Sequence, residues 1–284
     1  SPELLKIFNI DAAILPTVCA SDAVHLCRNM GELGLAKDIP LSGIMGDSHA
    51  ALFAHQGWRD GNFKATFGTG TSLMGLAKVN AETIAWSING EITRAVEANI
   101  LSTGSTLLWV SKLLGVTAEE LALLAESSTE QIEIVPAFSG LGAPWWDRGA
   151  NGVISGITLG TSSSDLAAAA LRSTANQINE VIESFSNSKI EIETLYADGG
   201  STRNAYLMQL IADITGKKIK SSKILEMSAF GVALVAALGS KLASLKEISS
   251  IQLEYDEYLP ILSEEERQNK IKSWRRALRQ SRTK

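Results

Sequence analysis

Apolar and small residues occupy alternate positions in one stretch of the chain, at Phe63, Ala65 and Phe67 and again at Leu73, Gly75, Ala77 and Val79. The turn Gly68-Thr69-Gly70 separates the two runs. A period of two predicts half-buried strands, and a glycine turn between two such runs predicts a hairpin. Because a further strand is expected at 92–98, this part of the chain predicts a sheet.

Helical periodicity dominates the rest of the chain. After the hairpin, apolar residues recur every three or four positions in the segments 104–115, 117–126, 163–185, 203–215, 228–242 and 264–284. Short strands are expected at 191–197 and 218–221. Ahead of the hairpin, 1–15 predicts a short amphipathic helix and 48–58 a second one, while the charged segment 264–284 predicts a solvated closing helix. The whole predicts an α/β or α+β domain in which helices flank a sheet.

Composition narrows the class of protein. The 284 residues carry 26 Lys and Arg against 31 Asp and Glu, and this net charge of −5 argues against a nucleic-acid-binding protein. The longest apolar runs fall short of the roughly 18 residues that a membrane-spanning helix needs. The first residues lack the basic-then-apolar pattern of a secretory leader. Neither nucleic acid nor a membrane is therefore expected as a partner.

The cysteines and histidines are few and scattered. Cys19 and Cys27 are the two cysteines of the chain, and its three histidines are His25, His49 and His55. They do not have the tight spacing of a structural zinc site, so no metal site made by the protein alone is expected. This cysteine usage is typical of a reducing compartment, and a cytoplasmic location is expected.

Three glycine-rich turns border predicted strands or helices, at 67–72, 103–106 and 198–201. Such turns bring backbone N–H groups close enough to bind phosphate oxygens. Tight turns also need glycine for geometry alone, so each turn by itself has a structural and a functional interpretation. None of them is a Walker A loop or the spaced dinucleotide fingerprint.

Asp47 follows the apolar run 39–46 and precedes a predicted helix. One interpretation is a helix cap, a position that aspartate favours. The other is a general base at the end of a strand, where open α/β sheets bind their ligands. The two interpretations are compatible, and both are kept.

As a set, these motifs resemble the FGGY carbohydrate kinases, the family of glycerol kinases, xylulokinases and gluconokinases. The matching segments are, in order, 46–53, 66–70, 143–147 with 152–157, 198–216 and 228–233. They resemble only the second half of that family, since the Asp-x-Gly-Thr phosphate loop of its first lobe has no counterpart here.

The resemblance implies a fold and a division of the chain. The fold would be the ribonuclease-H-like α/β fold of the actin and hexokinase superfamily, a mixed sheet flanked by helices. Residues 1–58 would be the end of an N-terminal substrate lobe. Residues 59–284 would form the C-terminal nucleotide-binding lobe with its closing helix.

The resemblance also implies roles for individual residues. Asp47 would be the catalytic base, and Ser48 beside it would help to define the substrate. The nucleotide would be bound by the second phosphate loop and by residues after it, namely Gly68, Thr69, Gly70, Gly104, Gly199, Gly200 and Asn204. Asn204 would hydrogen-bond the adenine, and Gly199 and Gly200 would flank the α-phosphate and sugar. ATP and Mg²⁺ are the implied cofactors, with Mg²⁺ held largely by phosphate and water.

The implied reaction is transfer of the ATP γ-phosphate to a hydroxyl of a sugar, sugar acid or polyol. The chain is expected to be inactive without the N-terminal lobe, and the surface exposed by its absence favours a homodimer. The alternative is a non-catalytic nucleotide-binding lobe that acts only with a partner chain. Two positions depart from the family: Ser48 replaces a longer amide, and Arg172 stands where an acidic residue is usual.

Overall fold

A computed structural model gives the fold of residues 1–27, 30–34, 39–78, 81, 83–129 and 131–283. The strands are β1 His25–Leu26, β2 Pro40–Leu41, β3 Asn62–Phe67, β4 Thr71–Leu76, β5 Thr83–Ile88, β6 Glu91–Ile100, β7 Glu133–Val135, β8 Val153–Ser155, β9 Thr194–Gly199, β10 Lys218–Ser222 and β11 Tyr255–Tyr258. The helices are α1 Pro2–Phe8, α2 Asp47–Ala54, α3 Gly104–Leu114, α4 Ala118–Glu126, α5 Ser163–Asn187, α6 Ala205–Thr215, α7 Met227–Gly239, α8 Leu245–Ser250 and α9 Glu264–Ser281.

A mixed sheet forms the centre of the described structure, with the strand order β11-β10-β9-β3-β4-β6-β5. The predicted hairpin is confirmed, since β3 and β4 pair antiparallel with Phe67 opposite Thr71. On its other side β3 pairs parallel with β9, and there Phe67 lies opposite Gly199. The carboxyl end of β3 therefore lies between two glycine-containing turns that are far apart in the chain.

The two faces of the sheet are covered by different helices. On one face of the sheet, helices α3, α4, α5 and α6 pack on Phe63, Ala65 and Phe67 of β3. The opposite face, covered by α2 and α7, buries Leu52 and Phe53 against the sheet. None of the helices in the described ranges combines the length and apolar character needed to span a bilayer.

Helices α2 and α7 pack so closely that their backbones touch. A Cβ atom at Gly231 of α7 would lie 1.8 Å from the carbonyl oxygen of Ala50 in α2. A second glycine of α7, Gly239, has the same role, because its Cβ would lie 2.1 Å from the carbonyl oxygen of Ser42. Small residues along α7 thus determine where the segment that carries Asp47 lies on the sheet.

Several predicted boundaries are wrong for identifiable reasons. The helix predicted at 48–58 ends at Ala54, because Gln56 adopts φ 55° and turns the chain back. The helix predicted over 1–15 ends at Phe8, where Asn9 takes a left-handed C-cap conformation. The helix predicted from residue 203 begins at Ala205, because residues 200–203 form a 3₁₀ turn ahead of it. The predicted alternation at Val79 lies outside the described residues.

The closing helix α9 is not the solvated helix that its charge predicts. It buries Ile271, Trp274, Ala277 and Leu278, which lie on one face at helical spacing. This face packs on β7, β8 and α5, with Trp274 fully buried. The many charged residues of α9 occupy the remaining faces and mask the apolar stripe in the composition.

Arg172, the basic residue at a usually acidic position, is buried within α5. Its Nη2 donates a hydrogen bond to the carbonyl oxygen of Ile132 at 2.7 Å. The carboxyl of Glu133 lies close to it: burial raises the pKa of Glu133, and the attraction of Arg172 opposes that rise. Arg172 is thus bound by the backbone carbonyl just before β7, with the carboxyl of Glu133 as a nearby charge.

Replacing Gly231 with valine tests the α2–α7 contact. We expect Gly231→Val to lower the free energy of unfolding by about 3 kcal/mol, the upper end of the range for overpacked cores, because its side chain meets the Ala50 carbonyl. The matched control is Ala233→Val on the exposed side of α7, with an expected cost below about 0.7 kcal/mol. Equal losses in urea denaturation would contradict the close-contact interpretation.

Candidate functional site

A cleft of about 440 Å³ opens where β3 and β4 meet the start of α2. Its lining residues are Asp47, Ser48, Thr66, Gly68, Thr69, Gly70, Thr71, Ser72, Asn99, Ile100, Leu101 and Ser228. Five residues predicted from the sequence thus share this cleft, namely Asp47, Ser48, Gly68, Thr69 and Gly70. Ser228 belongs to the predicted motif 228–233 but had no predicted place in the site, and Asn99 and Leu101 were not singled out from the sequence.

Asp47 is the first residue of α2, and Gly46 occupies the N-cap position. The helix-cap interpretation of Asp47 is therefore wrong by one position. Its Oδ1 accepts a hydrogen bond from the backbone N–H of Ser48 at 2.6 Å, and the side chain is exposed. A carboxylate in the first turn of a helix is stabilised in its charged form by the helix dipole. Asp47 thus presents its carboxyl group to the cleft.

The glycine turn after β3 is fixed to the beginning of α3. The carbonyl oxygen of Thr69 accepts hydrogen bonds from the backbone N–H groups of Thr103 and Ser105, at 3.2 and 3.0 Å. Glycine is required at Gly104, because a Cβ there would lie 2.3 Å from the carbonyl oxygen of Gly68. Gly104 therefore lies directly behind the turn, and its predicted role near the nucleotide stays a prediction.

The second glycine turn adjoins the first through the sheet. Gly199 has φ 96°, and a Cβ on it would lie 2.3 Å from the carbonyl oxygen of Phe67. Gly200 is exposed, and a Cβ there would meet nothing within 4 Å. Asn204 is the N-cap of α6, with its Oδ1 accepting from the N–H of Leu207 at 2.9 Å. These three predicted residues border the same end of the sheet but do not line the 440 Å³ cleft.

Lys64, which the sequence analysis missed, lies beneath the cleft on β3 and is fully buried. Its ammonium donates hydrogen bonds to Ser48 Oγ at 2.5 Å, Thr66 Oγ1 at 3.0 Å and Ser72 Oγ at 3.2 Å. Burial lowers the pKa of Lys64 to about 8, although nearby carboxylates oppose the shift. A lysine between the alternating apolar residues of a strand carries no sign of burial in the sequence; the packing of α2 and α7 over that face makes it buried.

A buried imidazole connects the end of α2 to the second glycine turn. His55 Nε2 lies 2.9 Å from Oδ2 of Asp198, and Nδ1 lies 3.1 Å from the hydroxyl of Tyr255. With its proton on Nε2, the imidazole donates to the carboxylate and accepts from the phenol. Burial, together with the neighbouring Tyr196 and Asp198, raises the pKa of Tyr255. Asp198 immediately precedes Gly199, so α2 and the second turn share a polar contact.

A second cleft, of about 460 Å³, lies between α5, α6 and α9. Two of its arginines form ion pairs: Arg275 contacts Glu180 and Glu183, and Arg267 contacts Glu264. Lys217 also lines this cleft and takes part in none of the ion pairs among the described residues.

The cleft beside Asp47 has the chemistry to bind an anionic group next to a hydroxyl. Hydroxyl groups and a glycine turn suit phosphate oxygens, and one carboxylate can accept a proton. In the ranges that the structure describes, no group of three or more His, Cys, Asp or Glu side chains is arranged to hold a metal ion.

Comparison with known proteins gives the family. The sequence profile of the "FGGY family of carbohydrate kinases, C-terminal domain" matches residues 63–240. The glycerol kinase of Enterococcus faecalis is 35% identical over 291 residues, which cover 97% of this chain and 58% of that protein. The glycerol kinase of Thermococcus gammatolerans is 37% identical over 292 residues, which cover 98% of this chain and 58% of that protein. The chain thus spans less than two thirds of the length of these relatives.

Solved structures agree with this result. Plasmodium falciparum glycerol kinase, determined with ADP, superposes with a TM-score of 0.88 at 29% identity over 98% of this chain and 59% of that chain. Xylulose kinase from Rhodospirillum rubrum superposes with a TM-score of 0.82 at 19% identity, over 99% of this chain and 60% of that chain. This likeness supports the fold alone. The predicted α/β fold of the actin and hexokinase superfamily is confirmed. The chain belongs to the FGGY family of carbohydrate kinases, and the region that matches the family profile is the C-terminal domain.

Proposed function

We propose that this chain is the nucleotide-binding part of a kinase that transfers the γ-phosphate of ATP to a hydroxyl of glycerol or a similar polyol. The observation that carries the proposal is the shared cleft in which the Asp47 carboxylate and the Gly68-Thr69-Gly70 turn face each other. The substrate class follows the glycerol kinases of Enterococcus faecalis and Thermococcus gammatolerans. The proposed reaction produces ADP and a polyol phosphate.

Asp47 acts as the base in this proposal. Phosphoryl transfer passes through a loose transition state, so the base has to orient the acceptor hydroxyl and accept its proton late. An exposed carboxylate at the first residue of a helix suits that task, because it lines the cleft and can accept a proton. Ser48 lies next to the acceptor, with its hydroxyl held from below by Lys64.

The nucleotide occupies the two glycine turns in this proposal. Thr69 and the N–H groups around it bind the β- and γ-phosphates, with Gly68, Gly70 and Gly104 allowing close approach. Gly199 and Gly200 flank the α-phosphate and the sugar, while Asn204 binds the adenine. Since Oδ1 of Asn204 already caps α6, its Nδ2 is the group that donates to the base. Mg²⁺ comes with ATP, held by phosphate oxygens and water.

Residues 1–58 form the end of an N-terminal lobe in this proposal, and 59–284 the C-terminal lobe. No described residue before Ser42 is buried, and many apolar side chains there are exposed, among them Leu4, Ile7, Phe8, Ile14, Val18 and Leu26. An N-terminal lobe, which supplies the rest of the polyol pocket and a first phosphate loop, covers this surface. Without it the chain is inactive, because phosphoryl transfer needs both sides of the site.

The decisive experiment measures ATP-dependent phosphorylation of glycerol by the 284 residues alone and together with an N-terminal lobe, on one polypeptide or as a separate chain. We expect activity only when both lobes are present. Replacing the carboxylate in Asp47→Asn should then lower kcat by about 10²-fold or more, the usual contribution of a general base.

The matched control is Asp60→Asn, an exposed carboxylate that does not line the cleft. This variant should retain the parental kcat. If both lobes together bind ADP but phosphorylate no polyol, the chain is a non-catalytic nucleotide-binding lobe. If the isolated chain forms a stable homodimer with full activity, the need for an N-terminal lobe is disproved.

The position of the adenine is tested by Asn204→Ser. Serine caps a helix as well as asparagine does but lacks the Nδ2 donor, so stability should be retained while ADP affinity falls about 3- to 10-fold, the value of one hydrogen bond. Asn204→Ala should lose the same affinity and also about 1 kcal/mol of stability. Calorimetric titration and thermal melting measure the two effects, and an Asn204→Ser variant with parental ADP affinity would place the adenine elsewhere.

A further inference from the structure

Lys64 is a fully buried cation at the floor of the cleft, and the proposed roles of the cleft residues leave it without a function. Its ammonium uses all three of its hydrogens, on the hydroxyls of Ser48, Thr66 and Ser72. A buried ammonium costs far more than an apolar side chain of the same length, so packing alone does not account for a lysine here.

The three hydroxyls belong to three different structural elements. Ser48 is the second residue of α2, directly after Asp47. Thr66 and Ser72 lie opposite each other on β3 and β4, on either side of the glycine turn. One ammonium therefore connects the acceptor side of the cleft to both strands that support the predicted phosphate loop.

The charges around this ammonium come from several elements. Carboxylates face it from α2 (Asp47), β6 (Glu97) and β9 (Asp198). Each of them favours the protonated form of Lys64. His55 contacts Asp198 from the far side at 2.9 Å. Burial outweighs these attractions and lowers the pKa of Lys64 to about 8. The proton on this nitrogen is therefore lost around pH 8 rather than near 10.5.

We infer that Lys64 is a positioning residue that holds Asp47 and the glycine turn at the separation required for phosphoryl transfer, and that it does so only while protonated. This inference rests on the proposed kinase function. In-line transfer depends on the alignment of acceptor oxygen and phosphate, and small displacements cost large factors in rate. A neutral amine donates two hydrogen bonds instead of three and no longer attracts Asp47, so the acceptor side loses its connection to the loop.

The first test compares Lys64→Met with the parent in the active two-lobe enzyme. We expect kcat to fall at least 10-fold while ADP affinity stays within about twofold, because the lysine acts on alignment rather than on nucleotide contacts. The parental kcat should decline above about pH 8, and this alkaline decline should be absent in the variant. Lys220→Met, on β10 of the same sheet, is the matched control and should keep the parental pH profile.

A second variant covers the case in which Lys64→Met does not fold. Thr66→Val keeps the side-chain shape and the buried ammonium but removes one of its acceptors. Because that oxygen stabilises the charged form, its loss lowers the pKa of Lys64, and the alkaline decline of kcat should move to lower pH. An unchanged profile in Thr66→Val, or an alkaline decline that persists in Lys64→Met, overturns the inference. If the parent itself has no kinase activity, the proposed function fails instead.

A test on stability does not depend on activity. The pKa of Lys64 is about 8 in the folded chain against 10.5 as its ordinary value, so between these two pH values the unfolded chain holds a proton that the folded chain has released. Stability conferred by this residue therefore rises with pH across that interval. We measure the urea midpoint of the parent minus that of Lys64→Met. This difference should be larger at pH 9.5 than at pH 7. A constant difference between the two midpoints contradicts a buried ammonium that titrates in this range.

Discussion

The backbone contact between α2 and α7 is the constraint on which the cleft depends. At Gly231 the two helices approach so closely that a single methyl group would overlap the carbonyl oxygen of Ala50. Because α2 is held along its length, the two ends of the helix have fixed positions. Its first residue, Asp47, faces the cleft, and His55 just beyond its last turn contacts Asp198. Helix α2 thereby fixes the position of the acceptor side of the site relative to β9, the strand that precedes the second glycine turn.

Buried polar groups complete this arrangement at both ends of α2. Lys64 contacts its first turn, and the imidazole of His55 joins its last turn to β9. Such groups lose hydration when they are buried, and their pairing with hydroxyls and carboxylates recovers only part of that loss. Apolar residues in the same positions would pack more favourably. The polar contacts instead give the glycine turns and Asp47 a defined relative geometry, which a reaction between two bound molecules requires.

Local patterns along the chain predicted a large part of the fold. The β3–β4 hairpin follows from alternation around a glycine turn, and the helix predicted at 117–126 is confirmed as α4. Strand β5 was missed because a β-bulge between Ile84 and Trp86 interrupts its alternation, and β11 was missed because its four residues are too few for a period to stand out. The exposure of α9 was also misjudged, since the average charge of a helix hides one apolar face that includes Trp274.

The sequence by itself determined the family and the candidate residues, because the motifs around Asp47, the glycine turn at Gly68 and the turn at Gly199 depend on short segments of chain. Only the tertiary structure decided how these segments combine. It paired Phe67 with Gly199, made Asn204 a helix cap and enclosed Lys64 beneath Ser48. Burial and hydrogen bonding are properties of residues brought together from distant parts of the chain, and the local pattern around a single lysine carries no information about the helices that cover it.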